Sequence, residues 1–117
     1  MITWKTLKYN LAAVSKLQNG GGSEIEFYLH NKRYMLIHYR NEVSLAYYPD
    51  SFYDDGRYIE KMYSSLEELE NARDFGFRLK DEWDKADKIS CSPPFDVYPL
   101  EDILEDYRAV LRKNETK

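Results

Sequence analysis

The sequence predicts an α+β fold: an antiparallel β-meander of three to four strands packed with about four helices, in the order α-β-β-β-(β)-α-α-α. Three observations carry this reading. Apolar residues recur every three or four positions near both ends of the chain. Between residues 24 and 48 they alternate with polar ones, and short turn-forming pairs separate the alternating runs. The 117 residues make one domain, 1–117, long enough to bury a core without disulfides or a structural metal.

The first helix is expected over residues 3–17, where Trp4, Leu7, Leu11, Val14 and Leu17 line one stripe and Thr3 caps the first turn. Residues 19–23, Asn-Gly-Gly-Gly-Ser, end it and read as a flexible glycine-rich joint. No Lys-Ser/Thr follows these glycines and the order is helix before strand, so they do not form a phosphate loop. Residues 24–30 then alternate, with Ile25, Phe27 and Leu29 on one side.

Asn31-Lys32 and Asn41-Glu42 are the expected two-residue turns. Counting outward from them pairs Leu29 with Tyr34, Phe27 with Leu36, both Ile25 and Leu45 with His38, and Leu36 with Tyr47. One face of the meander then collects Ile25, Phe27, Leu29, Tyr34, Leu36, His38, Leu45 and Tyr47, and is the core face. The other collects Glu26, Tyr28, His30, Arg33, Met35, Ile37, Tyr39, Ser44, Ala46 and Tyr48, apolar only at its middle.

Pro49 interrupts the ladder, Asp54-Asp55-Gly56 turns the chain, and Arg57 to Tyr63 reads as a short fourth strand. Ser65-Leu66-Glu67-Glu68 has capping-box spacing; Leu66, Leu69 and Ala72 form the buried side of that helix, and Gly76 ends it. A further helix is expected over residues 79–88, with Leu79, Trp83 and Ala86 on one face, followed by a loop holding Cys91 and Ser92-Pro93-Pro94. The last begins near Pro99 and has the clearest stripe in the chain: Leu100, Ile103, Leu104, Tyr107, Val110 and Leu111. Residues 114–117 are expected to fray.

Charge is unevenly divided. Residues 1–40 carry six basic and two acidic side chains, residues 41–117 eleven basic and nineteen acidic, for a net −4. Such an acidic surface repels a phosphate backbone, which argues against nucleic acid and suits a basic protein partner. No run approaches the ~20 apolar residues of a membrane span, and the amino-terminal segment lacks a signal-type apolar core. With a single cysteine, a soluble cytoplasmic protein without membrane association is expected.

Catalytic and metal signals are sparse. His30 and His38 fall on different faces, and His38 reads as a core histidine. Asp50, Asp54 and Asp55 offer hard oxygen ligands for a divalent cation but lack the spacing of a calcium loop. None of the familiar nucleotide-binding, nucleophile-elbow or zinc-protease motifs is present, so no catalytic residue, metal site or cofactor is assigned. The segment Ser64 to Ile89, with Ser65-Leu66-Glu67-Glu68-Leu69, Asp74-Phe75-Gly76, Leu79-Lys80 and Trp83, resembles a family of small uncharacterised proteins from low-GC Gram-positive bacteria and their mobile elements. That resemblance spans barely a quarter of the chain, implies no activity, and carries over no catalytic residue.

No motif determines a function. The reading the residues favour is a small protein-binding domain, an accessory factor or immunity-type inhibitor, that uses a Tyr/Met-rich sheet face and an acidic surface. Its binding residues would be Tyr28, Met35, Ile37, Tyr39, Ser44, Ala46 and Tyr48. Three arrangements compete with it. The first helix could fold over Met35 and Ile37, because four helices exceed what a three-stranded face holds. The chain could be a structural homodimer joined through that face or through edge strand 24–30. It could also be a small metal-dependent hydrolase using Asp50, Asp54 and Asp55.

Overall fold

A computed structural model describes residues 1–17, 22–49 and 58–115. Helix α1 (Trp4–Ser15) leads into strands β1 (Ser23–Leu29), β2 (Lys32–His38), β3 (Val43–Tyr48) and β4 (Ile59–Tyr63). Helices α2 (Leu66–Asn71) and α3 (Leu79–Glu82) follow, the latter running into a 3₁₀ turn at Trp83–Lys85. Strand β5 (Asp87–Ser92) and helix α4 (Leu100–Glu115) complete the chain. The α+β class holds, with an antiparallel five-stranded sheet in the order β4-β3-β2-β1-β5.

Local chemistry explains the element starts. The Thr3 hydroxyl accepts from the Thr6 amide at 3.1 Å and caps α1. Ser65 does the same for α2, accepting from the Glu68 amide at 3.1 Å. The Glu68 carboxylate reaches back one residue further than a standard capping box, accepting from the Ser64 amide at 3.3 Å and from the Ser64 hydroxyl. Gly76 takes φ +88°, though in a turn beyond the helix, which ends at Asn71.

Both hairpin turns begin one residue earlier than expected. His30 and Asn31 take φ +54° and +63°, the left-handed pair of a two-residue hairpin turn, so Leu29 pairs with Lys32, Phe27 with Tyr34 and Ile25 with Leu36. The second turn is Arg40-Asn41, closed by the Tyr39 amide donating to the Glu42 carbonyl at 2.8 Å. Leu36 therefore meets Leu45, and His38 meets Val43. Moving a turn by one residue changes each partner by two, so every side chain keeps its face.

The segment after Trp83 departs most from expectation. The α-helix expected to reach Lys88 ends at Glu82 and its 3₁₀ continuation at Lys85, and Asp87–Ser92, including Cys91, forms β5 against β1. Strand β1 is therefore paired on both sides. The edge strands are β4 and β5, which closes the expected route to a dimer through residues 24–30. Ser23, assigned to the glycine joint, is the fully buried first residue of β1; residues 19–21 of that joint lie outside the described residues. Helix α4 continues through Asn114 and Glu115, where fraying was expected.

One core joins sheet and helices. Ile25, Phe27, Leu29, Tyr34, Leu36, Val43 and Leu45 pack with Leu7, Leu11 and Val14 of α1, Leu69 of α2, Leu79 and Trp83, Phe95, and Ile103 of α4. Trp83 is its largest fully buried side chain. Its ring lies 5.0 Å from Phe27 and 5.6 Å from Trp4, and its indole N–H donates to the Ile2 carbonyl at 2.9 Å. Helix α1 thus lies on the core face and does not cover Met35 and Ile37.

Candidate functional site

All four helices contribute to the core on one face of the sheet, so among the described residues the other face carries no helix. The registers align its side chains in three rows. Ser92, Glu24, Ile37, Ser44 and Met62 form one; Ser90, Glu26, Met35, Ala46 and Glu60 the next; Asp87, Tyr28, Arg33 and Tyr48 the third. Ile37, Met35 and Ala46 make the middle of the face apolar, Tyr28 and Tyr48 flank Arg33 in the third row, and acids stand at or beside the margins. The cause is the two-residue period of the strands, which puts the odd-numbered side chains of β2 and the even-numbered ones of β3 on this side.

Of the seven residues expected here, Ser44 and Ala46 are buried beneath their neighbours, at 0% and 1% exposure. Tyr28, Met35, Ile37 and Tyr48 are half-buried, and none of them joins the core cluster. Tyr39 stands at the end of β2 beside the second turn, 38% exposed. Gly22 supports that end of the sheet: a Cβ there would sit 3.0 Å from the His38 carbonyl oxygen and 3.4 Å from the Tyr39 ring.

One end of the face is held by a chain of side-chain contacts. An Arg33 Nη donates to a Glu26 carboxylate oxygen at 2.8 Å, and the guanidinium lies 4.4 Å from the centre of the Tyr48 ring. Tyr48 packs in turn on Tyr58 at 5.5 Å, and the Lys88 ammonium sits 5.1 Å over Tyr28. Burial raises the Tyr48 phenol pKa, with Arg33 acting in the opposite direction, so the hydroxyl stays neutral and can donate or accept. The sequence reading did not assign Met62, which is 46% exposed and extends the apolar middle onto β4. Two-residue alternation across 59–63 was the signal available for it.

The remaining candidates disperse. His30 lies in the first turn with Nε2 3.9 Å from a Glu82 carboxylate oxygen, while His38 sits on the core side opposite Ser23 and Val43. The His38 Nδ1 is buried with no hydrogen-bond partner among the described residues, and burial lowers the imidazole pKa. Burial pushes the Cys91 thiol up to about 12, and the Asp96 carboxylate adds to that. A thiol held protonated in this way is a poor nucleophile. Asp50, Asp54 and Asp55 lie outside the described residues. Among those described, no group of three or more His, Cys, Asp or Glu is placed to hold a metal ion. No described helix is long and apolar enough to cross a membrane.

Comparison with protein-family models, with curated proteins and with solved structures finds no match.

Proposed function

We propose that the protein is a binding module, and that the helix-free sheet face receives a protein partner presenting basic side chains around an apolar anchor. The observation that carries this reading is the placement of all four helices on the opposite face. That placement leaves Met35 and Ile37, flanked by Tyr28 and Tyr48, outside the core. Tyrosine and methionine supply large contact area that adapts to a partner at low entropic cost. The acids Glu24, Glu26, Glu60 and Asp87 outnumber Arg33 and Lys88 on and around this face. A basic partner would be steered onto such a rim at a rate that falls with salt.

The test compares wild type with Met35→Lys/Ile37→Lys as bait in extract of the native cell, at low and high salt. Glu26 and Glu24 lie directly opposite the two new lysines and help to retain the strand. A protein held by wild type should be lost from the double variant, its affinity falling by more than about tenfold, as for hot-spot residues, and should bind less at high salt. Identical captures with both baits, or none with either, would remove this function.

A further inference from the structure

A second surface lies along α4, on the side of the sheet that carries the helices. A groove of about 670 Å³ runs beside α4, lined by Pro93, Pro94, Tyr98, Ile103, Tyr107 and Val110 and by the acids Asp102, Asp106 and Glu105, the last of which is paired with Arg112 of the same helix. Val110 is 56% exposed, and nearby Val97 and Tyr98 are 71% and 58% exposed. The strongest apolar stripe of the sequence is largely spent within the chain, with Ile103 buried and Leu100, Leu104 and Tyr107 packed against the core, but Val110 is left outside it.

Helical spacing decides what fits. At 100° per residue, Asp102, Asp106, Val110 and Lys113 fall along one side of α4. The acids occupy the first half of that side and the lysine the second. A parallel copy would set acid against acid. An antiparallel copy related by a two-fold axis sets Lys113 of each chain between Asp102 and Asp106 of the other, and Val110 against the other chain's Tyr107. Both contacts require the same register, centred between residues 108 and 109. The side is therefore complementary to itself in a single orientation. A basic helix from another protein would meet the acids but would also meet Lys113.

We propose that the protein self-associates through α4, paired antiparallel across a two-fold axis, with Val110 in the partner's groove and Lys113 at its acidic edge. Two helices with this flanking loop form a small interface, at the low end of the range for specific complexes. The association is correspondingly weak and sensitive to salt.

Sedimentation velocity of the full chain from micromolar to millimolar concentration tests this, with circular dichroism as the check on folding. Wild type should shift towards dimer as concentration rises, and less so at high salt. Val110→Asp should abolish the shift, and Asp106→Lys or Lys113→Glu should each weaken it at least tenfold. The combined variant Asp106→Lys/Lys113→Glu, which restores opposite charges across the axis, should recover much of it. Met35→Lys/Ile37→Lys should leave it intact, which separates this interface from the proposed docking face. Wild type that stays monomeric throughout, or a dimer indifferent to the α4 changes, would overturn the proposal.

Discussion

Three residues show how single positions are conscripted by their surroundings. Glu70 is 8% exposed and accepts from the Trp4 indole N–H and from the Lys8 ammonium, both at 2.8 Å, tying α2 to α1. Burial alone would raise its carboxyl pKa. The hydrogen bonds from Lys8 and Trp4 outweigh burial and hold it below the ordinary value. Gly22 reads in sequence as part of a flexible run, yet its missing side chain allows a close approach to the His38 carbonyl. His38 carries a consequence for pH. Its imidazole pKa is lowered by burial in the folded state, so the unfolded chain binds the proton more readily. The stability involved is therefore present above the ordinary imidazole pKa, about 6.5, and is lost as pH falls through and below it. The urea midpoint of wild type should drop between pH 7.5 and pH 5.5, and His38→Gln should show a smaller drop; equal drops would deny His38 this role.

At the scale of elements, caps and periodicity were legible because they depend on neighbours within a few residues. Thr3, Ser65 and the alternation of β1 to β3 all act where local sequence places them. Turn position was less legible. Asn31-Lys32 and His30-Asn31 are both acceptable by composition, and the choice between them follows from the register that best fills the core. The His30-Asn31 turn has both residues at positive φ, where Asn-Gly is the preferred pair. His30→Asn/Asn31→Gly should therefore stabilise the protein by about 1 kcal/mol, read as a higher urea midpoint. A turn at 31–32 would gain nothing from this change. Strand β5 was missed for a related reason. Leu79, Trp83 and Ala86 keep helical spacing, but Ile89-Ser90-Cys91-Ser92 already alternates. The strand forms because the outer side of β1 offers it a ladder.

At the scale of the whole molecule, the two sides of the sheet make opposite demands on substitution. Leu36 is fully buried among core residues, whereas Met35 and Ile37, its sequence neighbours, point to the helix-free side. Leu36→Ala should cost about 2–5 kcal/mol by leaving a cavity. Met35→Lys/Ile37→Lys should cost about 1 kcal/mol or less per site, since each lysine gains an opposed glutamate. Chemical denaturation of the two variants decides it: equal losses would mean that Met35 and Ile37 help to hold the fold together. The same layout leaves two surfaces for association, the acidic-rimmed sheet face and the α4 groove. They are far enough apart in the chain's design that substitutions in one should not alter the other.

The sequence by itself determined the α+β class, the helix caps, and the division of β1 to β3 into a core side and a Tyr/Met side, because each follows from local spacing. It also pointed to Met35, Ile37 and Tyr48 as members of one surface together with Glu26 and Arg33, though not to Met62, to the ion pair between Arg33 and Glu26, or to the groove beside α4. Only the tertiary structure decided that, among the described residues, five strands would share the sheet, that β1 would lie inside it, and that every helix would take the same face. The physical reason is competition between distant segments. An amphipathic stripe specifies that it must be covered, but which surface covers it depends on all the other stripes at once.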